Sequence, residues 1–131
     1  MSKETIEQLV NKYFANMEAM NPQGWSEIFT EDGLIYDPVG NPPSKPQEDA
    51  ERFFGFLSSI FDKLELAKDN LFIVGNSAAV KWTMRVVGKN GRNASTEGIT
   101  VFEMNDSGKI KQVSSYWDES ELMTQLKDTA N

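Results

Sequence analysis

An α+β fold is predicted by three features of the sequence. Apolar residues up to about Leu64 recur at helical spacing, those after it alternate, and a proline-rich stretch separates a short strand from the third helix. Ile6, Leu9, Val10, Tyr13, Phe14 and Met17 fall at i, i+3, i+4, i+7, i+8 and i+11, one face of a first helix. Thr5 and Gln8 have capping-box spacing at its start. Asn21-Pro22 joins a capping residue to proline at the first helical position, which opens a short second helix with Trp25, Ile28 and Phe29 on its buried side. Asp32-Gly33 reads as a turn and Leu34 to Asp37 as a short strand.

From Pro38 to Pro46 four prolines and Gly40 exclude a regular element. Ser44 and Gln47 offer a second capping box for a third helix, whose apolar face is Ala50, Phe53, Phe54, Leu57, Ile60, Phe61 and Leu64. Strands follow from Glu65 onward. Leu71 to Val74 runs to Gly75-Asn76, and Ala78 to Val87 runs to the hairpin signal Asn90-Gly91. Thr96 to Met104 runs to Asn105-Asp106-Ser107-Gly108, and Lys109 to Trp117 is the last strand. Asp118 and Glu121 stand at the cap and third position of a final short helix. The expectation is one domain over residues 1–131, in which an antiparallel meander wraps around the helices that carry the matching apolar faces.

Composition narrows the chemistry. With 131 residues, 39% hydrophobic and 25% charged, the chain can build a core and is too apolar for disorder. It has no cysteine, which excludes disulfides, a thiolate nucleophile and sulfur-ligated zinc. It has no histidine, which excludes a Ser-His-Asp triad and removes the usual base at neutral pH. A net charge of -7 with no basic run disfavours nucleic acid and anionic membranes as partners. The apolar runs fall well short of the ~20 residues of a spanning helix, and Met1 to Gln8 has no apolar signal segment, so a cytoplasmic location is expected. Asn93-Ala94-Ser95 has the form of a glycosylation acceptor, read here as a chance match in a polar loop.

Four features could carry chemistry. Asp37-Pro38-Val39-Gly40 closes a strand; Asp37 serves as a turn starter or as a base at a cavity mouth. Tyr13 is the one strongly polar group on the first helix's apolar stripe, a core tyrosine or a donor to a ligand oxygen. Trp82, Met84, Phe102 and Trp117 on the alternating strands form core or line a cavity for a flat apolar ligand. Arg85 with Glu97 and Glu103 reads as exposed cross-strand pairs. A water-activating Asp-Arg-Asp site would need them inside, and the alternation turns Arg85 away from the apolar side.

In chain order these residues resemble the ketosteroid isomerase branch of the SnoaL-like, NTF2-like superfamily. The resemblance rests on Asp37 to Gly40 with the proline-containing loop and amphipathic helix that follow. It rests also on Leu9-Val10-Asn11-Lys12-Tyr13-Phe14 and on the segment Phe102 to Ile110. It implies an NTF2-like cone, a curved antiparallel sheet and three helices around an apolar pocket, and a homodimer formed through the sheets. It maps the proton-shuttling base to Asp37, the donor to the developing enolate oxygen to Tyr13, and the aromatic against the substrate to Trp117. Thr100 falls where these isomerases hold a second donor, a carboxylic acid kept neutral by its apolar site. Phe54 falls where they hold a tyrosine that buttresses the first. A neutral alcohol is the poorer donor, and one lost oxyanion donor costs about 10²–10³ in rate.

The resulting expectation is an isomerase-like enzyme without metal or organic cofactor. Asp37 moves a proton next to a carbonyl of a small apolar ligand, Tyr13 and Thr100 hold the enolate, and Trp82, Met84, Phe102, Trp117 and Phe54 hold the substrate. The rival expectations are a non-catalytic ligand-binding module, a polyketide-cyclase-like aldol closure using the same parts, and a structural role through the dimer surface. A His-Asp dehydratase on this fold is excluded by the missing histidines.

Overall fold

The computed structural model describes residues 1–127. Its elements are α1 (Lys3–Glu18), α2 (Pro22–Ser26), β1 (Phe29–Tyr36), α3 (Pro46–Ile60), β2 (Phe61–Val74), β3 (Ser77–Gly88), β4 (Asn93–Met104), β5 (Ile110–Tyr116) and α4 (Glu119–Leu126). They form the α+β, NTF2-like arrangement, a five-stranded sheet in the order β1-β5-β4-β3-β2 with the helices on its inner side. β2 to β5 are the antiparallel meander the alternation predicts. β1 departs from it, pairing with β5 in parallel, so the sheet is mixed. Parallel neighbours need a long crossover, and here the whole of α3 and β2 to β4 lies between them.

Local chemistry accounts for the elements and for four shifts from the sequence reading. The Asn21 side chain caps α2 by accepting from Gly24 N at 3.1 Å, and Asp118 caps α4 by accepting from Glu121 N at 3.1 Å. The first helix is capped not by Thr5 but by Ser2, whose hydroxyl accepts from Thr5 N. The Ser44–Gln47 box does not form. Ser44 instead bridges to Ile35, and Gln47 donates to the Ser26 and Phe29 carbonyls, tying α3 to α2 and β1. Asp32-Gly33 is not a turn but lies inside β1, at an irregularity of register between Phe29 and Leu34.

The fourth shift is at the end of α3. Phe61 has extended backbone (φ -117°, ψ 135°), so β2 starts there without a loop. Phe61 and Leu64 are strand residues, still buried on the inner side. A register shift between Phe61 and Lys63 brings both to that face despite a spacing that mimics a helix.

The inner face of the sheet and the three first helices bury one core. Tyr13, Phe14, Trp25, Phe29, Phe53, Phe54 and Phe102 pack ring against ring with centroids 4.9 to 6.2 Å apart. Each fully buried side chain of this size contributes roughly 1.5–3 kcal/mol. No helix of the described residues is long and apolar enough to cross a membrane.

Candidate active site

Between α3, the start of β2 and α4 the core leaves a cavity of about 370 Å³. Phe53, Leu57 and Ile60 of α3 face Phe61 and Leu64 of β2, Met84 of β3, and Leu122 and Met123 of α4. Among the described residues two carboxylates, Asp37 and Glu119, reach this wall, and no lysine or arginine does.

Asp37 follows β1 directly. In the parallel register Tyr36 stands beside Ser114, and the Val39 N–H donates to the Ser115 carbonyl at 2.8 Å, which fastens the Asp37 segment to the end of β5. Two residues past Ser115, the Trp117 indole Nε1 donates to Asp37 Oδ1 at 2.6 Å. Burial raises the Asp37 pKa from the ordinary carboxylate value. The Trp117 hydrogen bond works against that shift, and the charge of Glu119 adds to it. The site therefore holds a carboxylate with one oxygen engaged and a strengthened hold on a proton.

Behind the cavity wall lies Tyr13, buried among Phe14, Trp25, Phe29 and Phe102. Burial drives its pKa well above the ordinary tyrosine value, and the charge of Asp37 drives it the same way, so the hydroxyl keeps its proton. The neighbouring Trp25 N–H pulls in the opposite direction, yet that N–H reaches hydrogen-bonding geometry with no acceptor among the described residues.

Deeper under the sheet a second polar group is buried. Trp82 Nε1 donates to Thr100 Oγ1 at 2.8 Å, and Thr100 Oγ1 shares a 2.8 Å hydrogen bond with Ser115 Oγ. Two hydroxyl protons serve this pair and one suffices for the bond between them, so one proton of the Thr100–Ser115 pair is left to donate elsewhere.

The predicted site residues thus fall into two layers. Asp37, Met84 and Trp117 line the cavity. Tyr13, Thr100, Trp82, Phe102 and Phe54 stand in the packed layer behind it. Phe102 is edge-on to Tyr13 at 4.9 Å, and Phe54 is edge-on to Trp25 at 5.2 Å. Arg85 is exposed on the outer face, as its alternation predicts.

Sequence reasoning missed Glu119, Leu122 and Met123, which close the cavity from α4, because nothing in a short amphipathic helix tells what it covers. It also missed Gly98. That residue pairs with Trp82 across β3 and β4, and a Cβ there would meet the Trp82 ring at 2.6 Å and Trp117 Cβ at 2.8 Å. Gly98 is what lets the two indoles meet edge to face at 6.2 Å. A glycine opposite a tryptophan within an alternating strand was the available signal.

Comparison with known proteins comes to the same fold. Residues 10–113 match the family model of the SnoaL-like domain. No curated protein sequence matches the chain. Among solved structures, an NTF2-like protein of unknown function from Burkholderia pseudomallei superposes with a TM-score of 0.82 at 19% identity, covering 98% of this chain and 100% of the other. SalBIII, an epoxide hydrolase/cyclase-like enzyme in pyran ring formation of the polyether salinomycin, gives 0.79 at 20%, covering 92% and 95%. An LEH-like epoxide hydrolase from M. tuberculosis gives 0.77 at 14%, covering 94% and 90%.

Proposed function

The chain belongs to the SnoaL-like domain family, and on that premise we propose that it is an enzyme that moves a proton next to a carbonyl of a small apolar substrate. The observation that carries this reading is Asp37. It is a carboxylate in the wall of an apolar cavity with no cation beside it, one oxygen held by Trp117 and its proton affinity raised. A base with affinity raised toward the working pH is better matched to carbon-acid chemistry than a fully solvated carboxylate.

In the proposed reaction the substrate enters the cavity carbonyl first. Asp37 Oδ2, the oxygen not engaged by Trp117, takes a proton from the carbon beside the carbonyl. The electron pair moves to the carbonyl oxygen as an enolate, and in this reading that oxygen must pass the cavity wall to the layer behind it, where Tyr13 donates its hydroxyl proton in a hydrogen bond. Thr100 with Ser115 supplies a further hydroxyl donor. Asp37 then returns the proton to a conjugated carbon, and the double bond has moved with no net change in atoms. Trp117 and Met84 hold the flat apolar body of the substrate, backed by Trp82, Phe102 and Phe54. The number and kind of donors favour a slower enzyme than one with a neutral carboxylic acid in the Thr100 place.

An aldol ring closure of the polyketide-cyclase kind uses the same base and donors, and the similarity to a cyclase-like enzyme keeps it as the second reading. Epoxide hydrolysis by an Asp-Arg-Asp arrangement draws no support from Arg85, which is on the outer face, nor from the cavity wall, which has no basic residue.

As part of the same proposal, two copies pair through the outer face of the sheet. Phe72 and Val74 of β2 are 65% and 79% exposed there, with Ile99 and Tyr116 at 47% and 54%. That is an apolar band with no cover in the single chain. A monomer by light scattering at micromolar concentration would remove this part of the proposal.

The test of the chemistry is 5-ene to 4-ene ketosteroid isomerisation followed by ultraviolet absorbance. Turnover in the wild type, lost in Asp37→Asn and in Tyr13→Phe with folding intact, is the expected result. No turnover in the wild type excludes this isomerisation, and aldol substrates then decide between cyclase and binding module.

A further inference from the structure

We propose that Trp25 is the positioning residue of Tyr13, its buried indole N–H donating to the Tyr13 oxygen when a ligand oxygen takes the Tyr13 proton. The inference rests on the donor role given to Tyr13 above.

It starts from a polar atom without a partner. Trp25 is 2% exposed, and its Nε1–H has no hydrogen-bond acceptor among the described residues. Buried donors are paired in nearly all native structures, so an orphaned one calls for an explanation. The indole stands in the shell around Tyr13, ring centroids 6.1 Å apart and planes inclined by 43°. The rest of that shell, Phe14, Phe29 and Phe102, is pure hydrocarbon, and so is Phe54 behind Trp25. Trp25 is thus the one side chain of this aromatic shell with a proton to give. It acts on Tyr13 already in the ligand-free chain, favouring the charged form against the opposing effects of burial and of Asp37, the one charged group felt at Tyr13.

The direction of the bond follows from chemistry. Indole N–H donates only, whereas a phenol both donates and accepts. Once Trp25 donates to the Tyr13 oxygen, the Tyr13 proton must point away from Trp25, to the ligand, and the chain of two bonds polarises the phenol into a stronger donor. Hydrogen bonds of this kind are often long in the empty enzyme and close in the complex. The place of Trp25 is fixed by α2, whose start is set by the Asn21 cap and by Pro22 at its first turn.

The experiment needs no turnover. 3-Fluorotyrosine is incorporated, the Tyr13 resonance is assigned by its loss in Tyr13→Phe, and its fluorine shift is followed with pH. Trp25→Phe is compared with Trp25 replaced by 3-benzothienylalanine, which keeps the indole shape and lacks the N–H. Removing the donor should raise the Tyr13 midpoint by about one pH unit in both variants. The benzothienyl protein alone decides if Trp25→Phe does not fold.

Binding of 2-naphthol, whose oxygen mimics the enolate, gives the second reading. Trp25→Phe should weaken it roughly tenfold in the wild-type background and leave it unchanged in Tyr13→Phe, the non-additivity expected of coupled residues. An unmoved Tyr13 midpoint in the benzothienyl protein, or additive losses in the cycle, overturns the inference. Failure of the isomerase reading shows separately, as absent turnover with the midpoint shift intact.

Discussion

Two hollows of nearly equal size, about 370 and 380 Å³, flank the same sheet and could hardly differ more in content. The first is the apolar cavity with Asp37. The second is a surface groove lined by Lys63, Glu65, Arg85, Ser95 and Gln125. In the groove the one carboxylate among the described residues has a cation: Lys63 sits 2.8 Å from Glu65 and holds that carboxyl below its ordinary pKa. Water screens such pairs, and their contribution is small. In the cavity Asp37 has an indole, a hydrocarbon wall and a second carboxylate nearby, and its pKa moves up. Size does not separate the two hollows. What separates them is whether a charge has been left without a counter-ion, the usual mark of a group kept for chemistry.

The comparison breaks first on activity. Asp37→Asn should lower kcat by roughly 10²–10⁴, the range of a lost general base. Glu65→Gln in the groove should leave kcat unchanged, within the error of the same assay. If both variants lose activity alike, the chemistry is not confined to the cavity.

Stability separates the two faces next. Phe102 is fully buried against Tyr13 and Phe14 on the inner side. Phe102→Ala should destabilise by about 3–5 kcal/mol in urea unfolding. Lys81, which bridges Asp69 and Glu97 on the outer face at 3.2 and 3.0 Å, is half-exposed. Lys81→Ala should cost less than about 1 kcal/mol and less still in high salt.

The same contrast explains how much of the molecule could be read from the chain. The α1 stripe from Ile6 to Met17 and the inward set Ala78, Val80, Trp82, Met84 and Val86 of β3 are buried as their periods require. Neither has an irregularity in its middle. β2 has two, at Phe61/Lys63 and Lys68/Asn70. Each reverses which side the next residues face, so Leu64 and Leu66 do not continue in phase into Leu71 and Ile73, and no alternation survives to be seen. β1 was shortened by the same effect at Asp32-Gly33. Its parallel pairing with β5 is a long-range choice on which local pattern is silent. At the site, Asp37 and Trp117 were legible because each closes a strand, and Met84 because it keeps the alternation of β3. Glu119 and Trp25 were not, since their meaning comes from neighbours far away in the chain.

A smaller effect tests how closely the inner face is fitted. Gly98→Ala places a methyl group 2.6 Å from the Trp82 ring and 2.8 Å from Trp117 Cβ. Overpacking of this kind costs about 1–3 kcal/mol. The displaced Trp117 should loosen its bond to Asp37, and the base should then titrate at still higher pH in the rate profile. Thr83→Ala on the outer face of β3, where the hydroxyl meets only exposed Asp69, should leave that profile where it was.

The smallest expected effects have opposite signs. Because the Asp37 pKa is raised on folding, the folded chain binds more proton than the unfolded one between the ordinary carboxylate value and the raised one. Stability falls as pH rises through that window, and the deficit persists above it. Asp37→Asn, still able to accept from Trp117, should therefore raise Tm by a few degrees above the window and by nothing near pH 3. Asp69 is the reverse, its pKa lowered by the bonds from Thr83 and Lys81. Its contribution is present at neutral pH and is lost as pH falls through the lowered value, so Asp69→Asn should lower Tm slightly at pH 7 and not in acid. High salt should shrink the Asp69 effect, which is solvated, more than the Asp37 effect, which is half-buried. Equal signs for the two variants would mean that the cavity is as wet as the groove, and the case for Asp37 as a base would lose its physical ground.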